Sequence, residues 1–325
     1  MNNNENNSLK KEQVVYSRNI YNLKDSGNVF LFALILPILV SLVFSMIANV
    51  IAGARGIEAS IITDNMWFMT AYSIVSILCY VGIYLVYNKI QKIDFKAINL
   101  KFNLKWHTYL IMIVVGVISL FGIQYFISII DDLLISLGYN MASTSINPTS
   151  WGTFFLSVFV LAILPAIGEE LIFRGIILNG LRTRFNDIAS IFISAILFAL
   201  MHQNLQQLIY PFLLGSIMAW AVVRSGSLIS SVIIHFTNNF LVVLLTFIQN
   251  MTGWSVALPR EWWFYLIAIV LLLLTILSIF LLDRYYFKHK SKDNIEKENG
   301  KIPIVFYVSI GISVLFFLIF TIMNF

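Results

Sequence analysis

The sequence is dominated by long apolar runs that contain no charged residue. A helix that crosses the hydrocarbon core of a bilayer needs about 20 apolar residues. Five runs reach this length, and we predict a membrane helix in each. They are Val29–Ile51, Met66–Tyr87, Tyr109–Ile130, Trp262–Leu282 and Ile302–Phe325. Because lipid offers the backbone no hydrogen-bond partners, such runs predict an all-α fold, a polytopic membrane helix bundle.

The composition excludes several other classes of protein. Hydrophobic residues make up 59% of the chain and charged residues only 11%, whereas roughly a quarter of the residues in a soluble domain are charged. The net charge of +5 is spread over short clusters between apolar runs, so we predict a lipid bilayer as the surroundings and no nucleic-acid partner. A single cysteine, Cys79, excludes a disulfide framework and a cysteine-ligated zinc site.

Four further apolar segments are interrupted by Glu, Arg, His, Asn and Gln. We predict helices at about 151–180, 188–203, 207–223 and 227–249, which brings the total to about nine. Lysine and arginine accumulate in cytoplasmic loops. With nine helices, all but three of the 21 basic residues fall on alternate loops. This alternation predicts a cytoplasmic N-terminus and a C-terminus outside.

The predicted helices divide the chain into four parts. Residues 1–28 are rich in asparagine and are expected to form a flexible cytoplasmic tail. Residues 29–149 hold three N-terminal membrane helices, residues 150–250 hold the four helices with polar interruptions, and residues 251–325 hold two more. Abundant Asn, Ile and Lys are typical of a low-GC bacterium, so we expect an integral protein of a bacterial plasma membrane.

Ionisable side chains at bilayer depth are costly and are therefore candidates for a functional site. Those within the predicted helices are Glu169, Glu170, Arg174, His202 and His235, with Asn239 one turn after the last. Glu170 and Arg174 are four residues apart and can form an ion pair, for which a purely structural role is the plain alternative. Glu169 is rotated by about 100° and has no helical partner. Burial disfavours the charged form of an unpaired carboxylate, which suits Glu169 to act as a general base.

Helix lengths place Glu169, His202 and His235 at comparable depths, roughly 12–18 Å from the cytoplasmic edge. With Asn239, these groups can activate a water molecule and stabilise an oxyanion. Glu169, His202 and His235 are also an acceptable Zn2+ ligand set with an open fourth position. Hydrolysis with and without a metal therefore both stay open. A His-Glu-x-x-His motif is absent from the sequence, which excludes a zincin site.

Three motifs on successive predicted helices carry a family resemblance. They are Glu-Glu-x-x-x-Arg at 169–174, Phe-x-x-x-His at 198–202 and His-x-x-x-Asn at 235–239. In this order they resemble the CPBP intramembrane protease family, also called the Abi or type II CAAX prenyl endopeptidase family. The resemblance covers about residues 150–250. It implies a glutamate-dependent or metal-dependent endopeptidase that cuts peptides within or beside the membrane.

The resemblance also implies a role for each residue. Glu169 would activate the water, and His202 would orient it or bind a metal. His235 and Asn239 would stabilise the oxyanion or complete a metal site, while Glu170 and Arg174 would hold the helix geometry. The implied partner is a membrane-associated peptide or protein substrate, approached from the cytoplasmic side, and the implied cofactor is Zn2+ if a metal is used. Bacterial members are linked to bacteriocin immunity and to peptide maturation.

Two alternatives belong to other functional classes. A membrane scaffold or immunity factor of the same fold would need no catalysis. A transporter would use the intramembrane Glu and His as a proton relay. Transporters often show two halves with matching broken helices, and we find no such symmetry in this sequence.

Overall fold

The computed structural model describes residues 20–141, 147–254, 261–287 and 297–325. Within these ranges the regular structure consists of ten α-helices and short helical turns, with no strand. The predicted all-α fold class is therefore confirmed. The helices are α1 (Leu23–Arg55), α2 (Ala59–Thr63), α3 (Met66–Gln91), α4 (Trp106–Ser136), α5 (Trp151–Arg182), α6 (Asp187–Met201), α7 (Ile209–Ser225), α8 (Ile229–Thr252), α9 (Trp262–Tyr286) and α10 (Ile304–Met323).

Seven of these helices, all except α2, α6 and α7, are long and apolar enough to cross a membrane. The chain is an integral membrane protein. The apolar helices α6 and α7 have 15 and 17 residues. They extend about 22–26 Å, less than the roughly 30 Å of a hydrocarbon core. The two short helices pack against each other, and the total of nine crossings stays a prediction.

The first long helix begins earlier than the apolar run that predicted it. Asn22 and Asp25 form a reciprocal capping box: the Asn22 side chain accepts from the Asp25 N–H, and the Asp25 carboxylate accepts from the Asn22 N–H. The Tyr87 hydroxyl donates to Asp25 over 2.8 Å and ties this helix start to α3. The expected flexible tail extended to residue 28. Its residues 1–19 lie outside the described part of the chain, while α1 is already helical from Leu23.

The loops that carry most of the basic residues are hydrogen-bonded to one another at one end of the bundle. The Lys297 ammonium donates to the carbonyls of Arg182 and Phe185, each over 2.6 Å. The Ser227 hydroxyl donates to the Lys101 carbonyl over 2.7 Å. We call this the basic end of the bundle, formed by the loops after α3, α5, α7 and α9 and by the start of α1.

Other described loops meet at the opposite end, which we call the far end. The Tyr139 hydroxyl donates to the Asn204 side chain over 3.0 Å, so the loop after α4 contacts the loop after α6. The Asn140 N–H donates to the Asn324 carbonyl over 2.8 Å, which brings the end of α10 to the same place. These described loops thus lie at two ends of the bundle, and the assignment of each end to a side of the membrane stays a prediction.

Candidate active site

Glu170 and Arg174 form a completely buried ion pair in the middle of the bundle. Their side chains are 0% exposed, and Arg174 Nη1 lies 2.9 Å from Glu170 Oε1. The predicted pairing four residues apart is present. Arg174 also donates to the Gly215 carbonyl on α7 over 3.1 Å. Its guanidinium lies 4.4 Å from the centre of the Phe198 ring on α6. The pair therefore joins three helices, not only two turns of α5.

Glu170 has a second partner that the sequence analysis missed. His235 Nδ1, on α8, lies 2.9 Å from Glu170 Oε1. The ionised carboxylate beside Arg174 can only accept, so His235 Nδ1 carries the hydrogen and donates it. This bond sets the orientation of the imidazole and turns Nε2 toward Glu169, whose Oε2 lies 4.0 Å away. A carboxylate that orients a histidine in this way is a frequent feature of catalytic sites.

Glu169 faces a cavity, whereas its neighbour is sealed in the core. Its side chain is 12% exposed, and it makes no hydrogen bond to another described residue. The cavity has a volume of about 660 Å3 and is lined by α1, α3, α5, α10 and the loop after α6. His202 lies in the same lining. The rotation of about 100° between adjacent helix positions separates the two glutamates, as the sequence predicted.

His202 caps the C-terminal end of α6, and its ring is held by α6 itself. Its Nδ1 lies 2.9 Å from the Phe198 carbonyl oxygen. Because a carbonyl only accepts, Nδ1 donates and Nε2 is left for another contact. The Phe198 ring lies 5.0 Å from the His202 ring and 6.2 Å from the His235 ring, centre to centre. Phe198 thus contacts both imidazoles, which its place in the motif did not reveal.

Asn239 fastens α8 to α5 beside the site. Its amide donates to the Leu161 carbonyl over 2.9 Å. That carbonyl lacks its usual helical donor, because Pro165 four residues later has no N–H. One of the two amide hydrogens of Asn239 is therefore used in holding the two helices together. The role of Asn239 at an oxyanion stays a prediction.

The expected zinc ligands do not form a prepared metal site. Among the residues that the structure describes, no three or more His, Cys, Asp or Glu side chains are grouped to hold a metal ion. Glu169 and His202 line one cavity, whereas His235 is not part of that lining: its Nδ1 is bound to Glu170, and its Nε2 lies 4.0 Å from Glu169 Oε2. The arrangement does not fit Zn2+, and we derive no catalytic step through a metal.

A row of polar side chains on α3 completes the cavity wall and was not predicted. Tyr72, Ser76 and Tyr80 are spaced four residues apart, and Ser73 lies three residues before Ser76, so the four side chains share one face of the helix. The Tyr80 hydroxyl contacts the sulfur of Met201 at 3.2 Å. The spacing was visible in the sequence as hydroxyl groups at helical intervals within an apolar run. Such a face provides hydrogen-bond partners for water inside the membrane.

Comparisons with known proteins concern the part of the chain that holds this site. Residues 151–241 match the family model described as Rce1-like, type II CAAX prenyl endopeptidase. All three motifs lie in that segment, so the resemblance seen in the motifs is confirmed. The segment runs from the start of α5 to the middle of α8.

One curated relative is the Escherichia coli protein described as "Uncharacterized 24.3 kDa protein". The two chains are 38% identical over 85 residues, which are 25% of this chain and 39% of the relative. The chain therefore matches well under half of that protein. None of the solved structures matches this chain.

Proposed function

We propose that the chain is an intramembrane endopeptidase that hydrolyses a peptide bond in a membrane-associated peptide or protein, with Glu169 as the general base. One observation carries this proposal: two adjacent carboxylates have different surroundings. Glu170 is fully buried and bound to Arg174 and His235, whereas Glu169 faces the cavity. The match of residues 151–241 to a family of endopeptidases supports the reaction class.

The reaction begins with a water molecule in the cavity beside Glu169. The carboxylate takes one proton from the water while the water oxygen bonds to the carbonyl carbon of the substrate. His202 Nε2 accepts a hydrogen bond from the water and orients it. Glu169 then passes its proton to the amide nitrogen, the C–N bond breaks, and the products are a carboxylic acid and an amine.

His235 is suited to stabilise the negative oxygen that develops on the substrate. It lies between the carboxylates of Glu169 and Glu170. With a hydrogen on both ring nitrogens, Nδ1 donates to Glu170, and Nε2, which faces Glu169, can donate to an oxyanion formed beside that carboxylate. Glu170 is therefore a positioning residue, which acts through His235. The sequence left zinc-dependent hydrolysis as an alternative. It has less support because the three expected ligands are not grouped among the described residues.

The Glu169→Gln substitution tests the proposal. It keeps the size of the side chain and removes the base, so we expect cleavage to fall about 10²–10⁴-fold. The protein should still insert and keep its thermal stability, since Glu169 makes no hydrogen bond to another described residue. The readout is the set of new peptide N-termini in membranes that contain wild-type or variant protein.

The matched control is Glu58→Gln, which changes an exposed carboxylate at the far end, outside the cavity lining. This variant should cleave like the wild type. Unchanged cleavage by Glu169→Gln would overturn the proposal.

If the chain is instead a scaffold without catalysis, the cellular phenotype should survive in Glu169→Gln. Identifying the cleaved peptide distinguishes bacteriocin immunity from the maturation of a peptide or surface protein.

A further inference from the structure

Along the long axis of the bundle, the cavity lies in the half nearer the far end. In α1, α3 and α5, the lining residues nearest the basic end are Ala33, Tyr80 and Glu169. At the rise of an α-helix, they lie about 15–20 Å from the basic ends of their helices. The rest of the lining continues toward the far end and includes Tyr72 and Asn204. The reactive carboxylate is therefore at the inner end of a cavity that extends away from the basic loops.

The part of α5 between Glu169 and the basic end is closely packed and leaves no open path. The α5 residues Phe173, Ile176, Ile177, Leu178 and Leu181 are all 0% exposed. The ion pair of Glu170 and Arg174 fills the position directly behind the base. Water or a peptide that approached from the basic end would have to displace these side chains.

The cavity wall combines apolar side chains with uncharged polar groups, and among the described residues of its lining the one basic side chain is a histidine. Its polar groups on the far side of Glu169 are the hydroxyls and amides of Ser41, Tyr72, Ser73, Ser76, Gln203, Asn204 and Asn324. Among the described residues of the lining there is no Lys or Arg that could pair with a free C-terminal carboxylate. The wall therefore suits an uncharged, internal stretch of polypeptide together with water.

We infer that the substrate reaches Glu169 from the far end, which the distribution of basic residues places outside the cytoplasm. The inference rests on the proposed function and names its substrate class: an uncharged internal segment of a membrane-anchored peptide or protein, exposed on the outer side. It reverses the approach from the cytoplasmic side that the sequence suggested. Phe320 of α10 and Asn324, which follows that helix, belong to the cavity wall, so a segment outside the family match contributes to the entrance.

Cysteine labelling tests this access route without any need for cleavage. Cys79, the single cysteine, is first replaced by alanine. Ser73→Cys then places a thiol in the cavity wall, and a charged thiol reagent that cannot cross membranes is added to right-side-out or inside-out vesicles. We expect labelling in right-side-out vesicles and its loss in inside-out vesicles.

Three controls share the same background. Val75→Cys lies on the same helix but is 38% exposed on the outer surface of the bundle, so lipid should protect it in both vesicle types. Asp64→Cys at the far end and Lys96→Cys at the basic end report the orientation of each preparation. They should label only from the outside and only from the inside, respectively.

The outcomes separate this inference from the proposed function. Labelling of Ser73→Cys from the inner side, or from neither side, would overturn the access route, whatever Glu169→Gln does to cleavage. The same follows if Asp64→Cys labels from the inside. Labelling from the outside supports the route even if Glu169→Gln still cleaves, in which case the proposed function fails and the access route stands.

Discussion

Arg174 contacts groups on three helices in the centre of this bundle. It pairs with Glu170 on its own helix, donates to the Gly215 carbonyl on α7, and lies against the Phe198 ring on α6. Removing one partner of a buried ion pair leaves the other charge without compensation, at a cost of about 3–5 kcal/mol. We therefore expect the free energy of unfolding to depend more on this pair than on Glu169, the proposed base.

A double-mutant cycle tests the coupling between Arg174 and Glu170. We expect Arg174→Met and Glu170→Gln each to lower the free energy of unfolding by about 3–5 kcal/mol, because each leaves a buried charge unpaired. The double variant should lose less than the sum of the two. The measurement is unfolding of the purified protein in detergent. Additive losses would show that the two side chains act independently.

Arg174→Lys is the conservative control for that cycle. Lysine keeps the charge, but it lacks the planar fork that reaches Glu170 and the Gly215 carbonyl together. We expect it to be destabilised as well, although less than Arg174→Met.

Metal dependence is a second question at the residue scale. The three expected ligands are not grouped in the described part of the chain, so we expect cleavage to survive strong chelators. Metal analysis of the purified wild type should give the same content as a His202→Ala/His235→Ala double variant. About one zinc per chain, lost in the double variant, would contradict this and make the histidines metal ligands.

At the scale of the helix, α5 departs from regular geometry on both sides of the two glutamates. Wide π-helical turns cover Val158–Ile163 and Leu171–Ile177. Such turns are frequent at functional sites because they change which residues share a face. The apolar pattern located this helix but contained no signal for the wide turns. Their position depends on contacts with other helices, such as the bond from Asn239 to the Leu161 carbonyl.

Glycines decide how closely neighbouring helices approach, and one position gives a sharp test. A Cβ atom at Gly180 would overlap Ser26 Oγ and the Asn22 carbonyl of α1. We therefore expect Gly180→Ala to lower the free energy of unfolding by about 1–3 kcal/mol, since it forces the start of α1 away from α5. Thermal unfolding in detergent measures this loss.

Gly82→Ala on α3 is the matched control. A Cβ atom there would meet no heavy atom within 4 Å, and alanine favours a helix over glycine by up to about 1 kcal/mol. The control should be neutral or stabilising. Equal losses in both variants would mean that the close approach of α5 and α1 is not what the glycine provides.

At the scale of the whole molecule, the loops lie at two ends that differ in charge. Exposed tryptophans mark both ends: Trp67, Trp151 and Trp262 begin helices at the far end, and Trp106 begins α4 at the basic end. Tryptophan prefers the interface between lipid and water. The difference in charge between the two ends favours one orientation of the bundle in the membrane, and the tryptophans favour a fixed depth.

Reporter fusions test the number of crossings. With nine crossings and a cytoplasmic N-terminus, an alkaline phosphatase fused after Phe325 should be exported and active. The same enzyme fused after Lys301, before α10, should be inactive because it stays in the cytoplasm. A fluorescent protein that matures only in the cytoplasm should give the reverse pattern. Equal phosphatase activity in both fusions would show that α10 does not cross, since the two sites lie on either side of it.

Sequence reasoning reached some parts of the site and not others. The pairing of Glu170 with Arg174 and the separate face of Glu169 followed from helical spacing alone, since both depend on one helix. The bond from His235 to Glu170 and the contacts of Phe198 with both histidines did not follow. They depend on how α6, α7 and α8 pack around α5, and spacing within one helix contains no information on that packing.

The sequence by itself determined the membrane setting, the helical fold class, the sorting of loops by charge and the set of candidate residues. Each of these follows from local properties, namely hydropathy, charge and the helical repeat. Only the tertiary structure decided which carboxylate is sealed and which faces the cavity, and that the cavity extends from Glu169 to the far end. Those features arise between helices distant in sequence, where close packing leaves space on one side of Glu169 and fills it on the other.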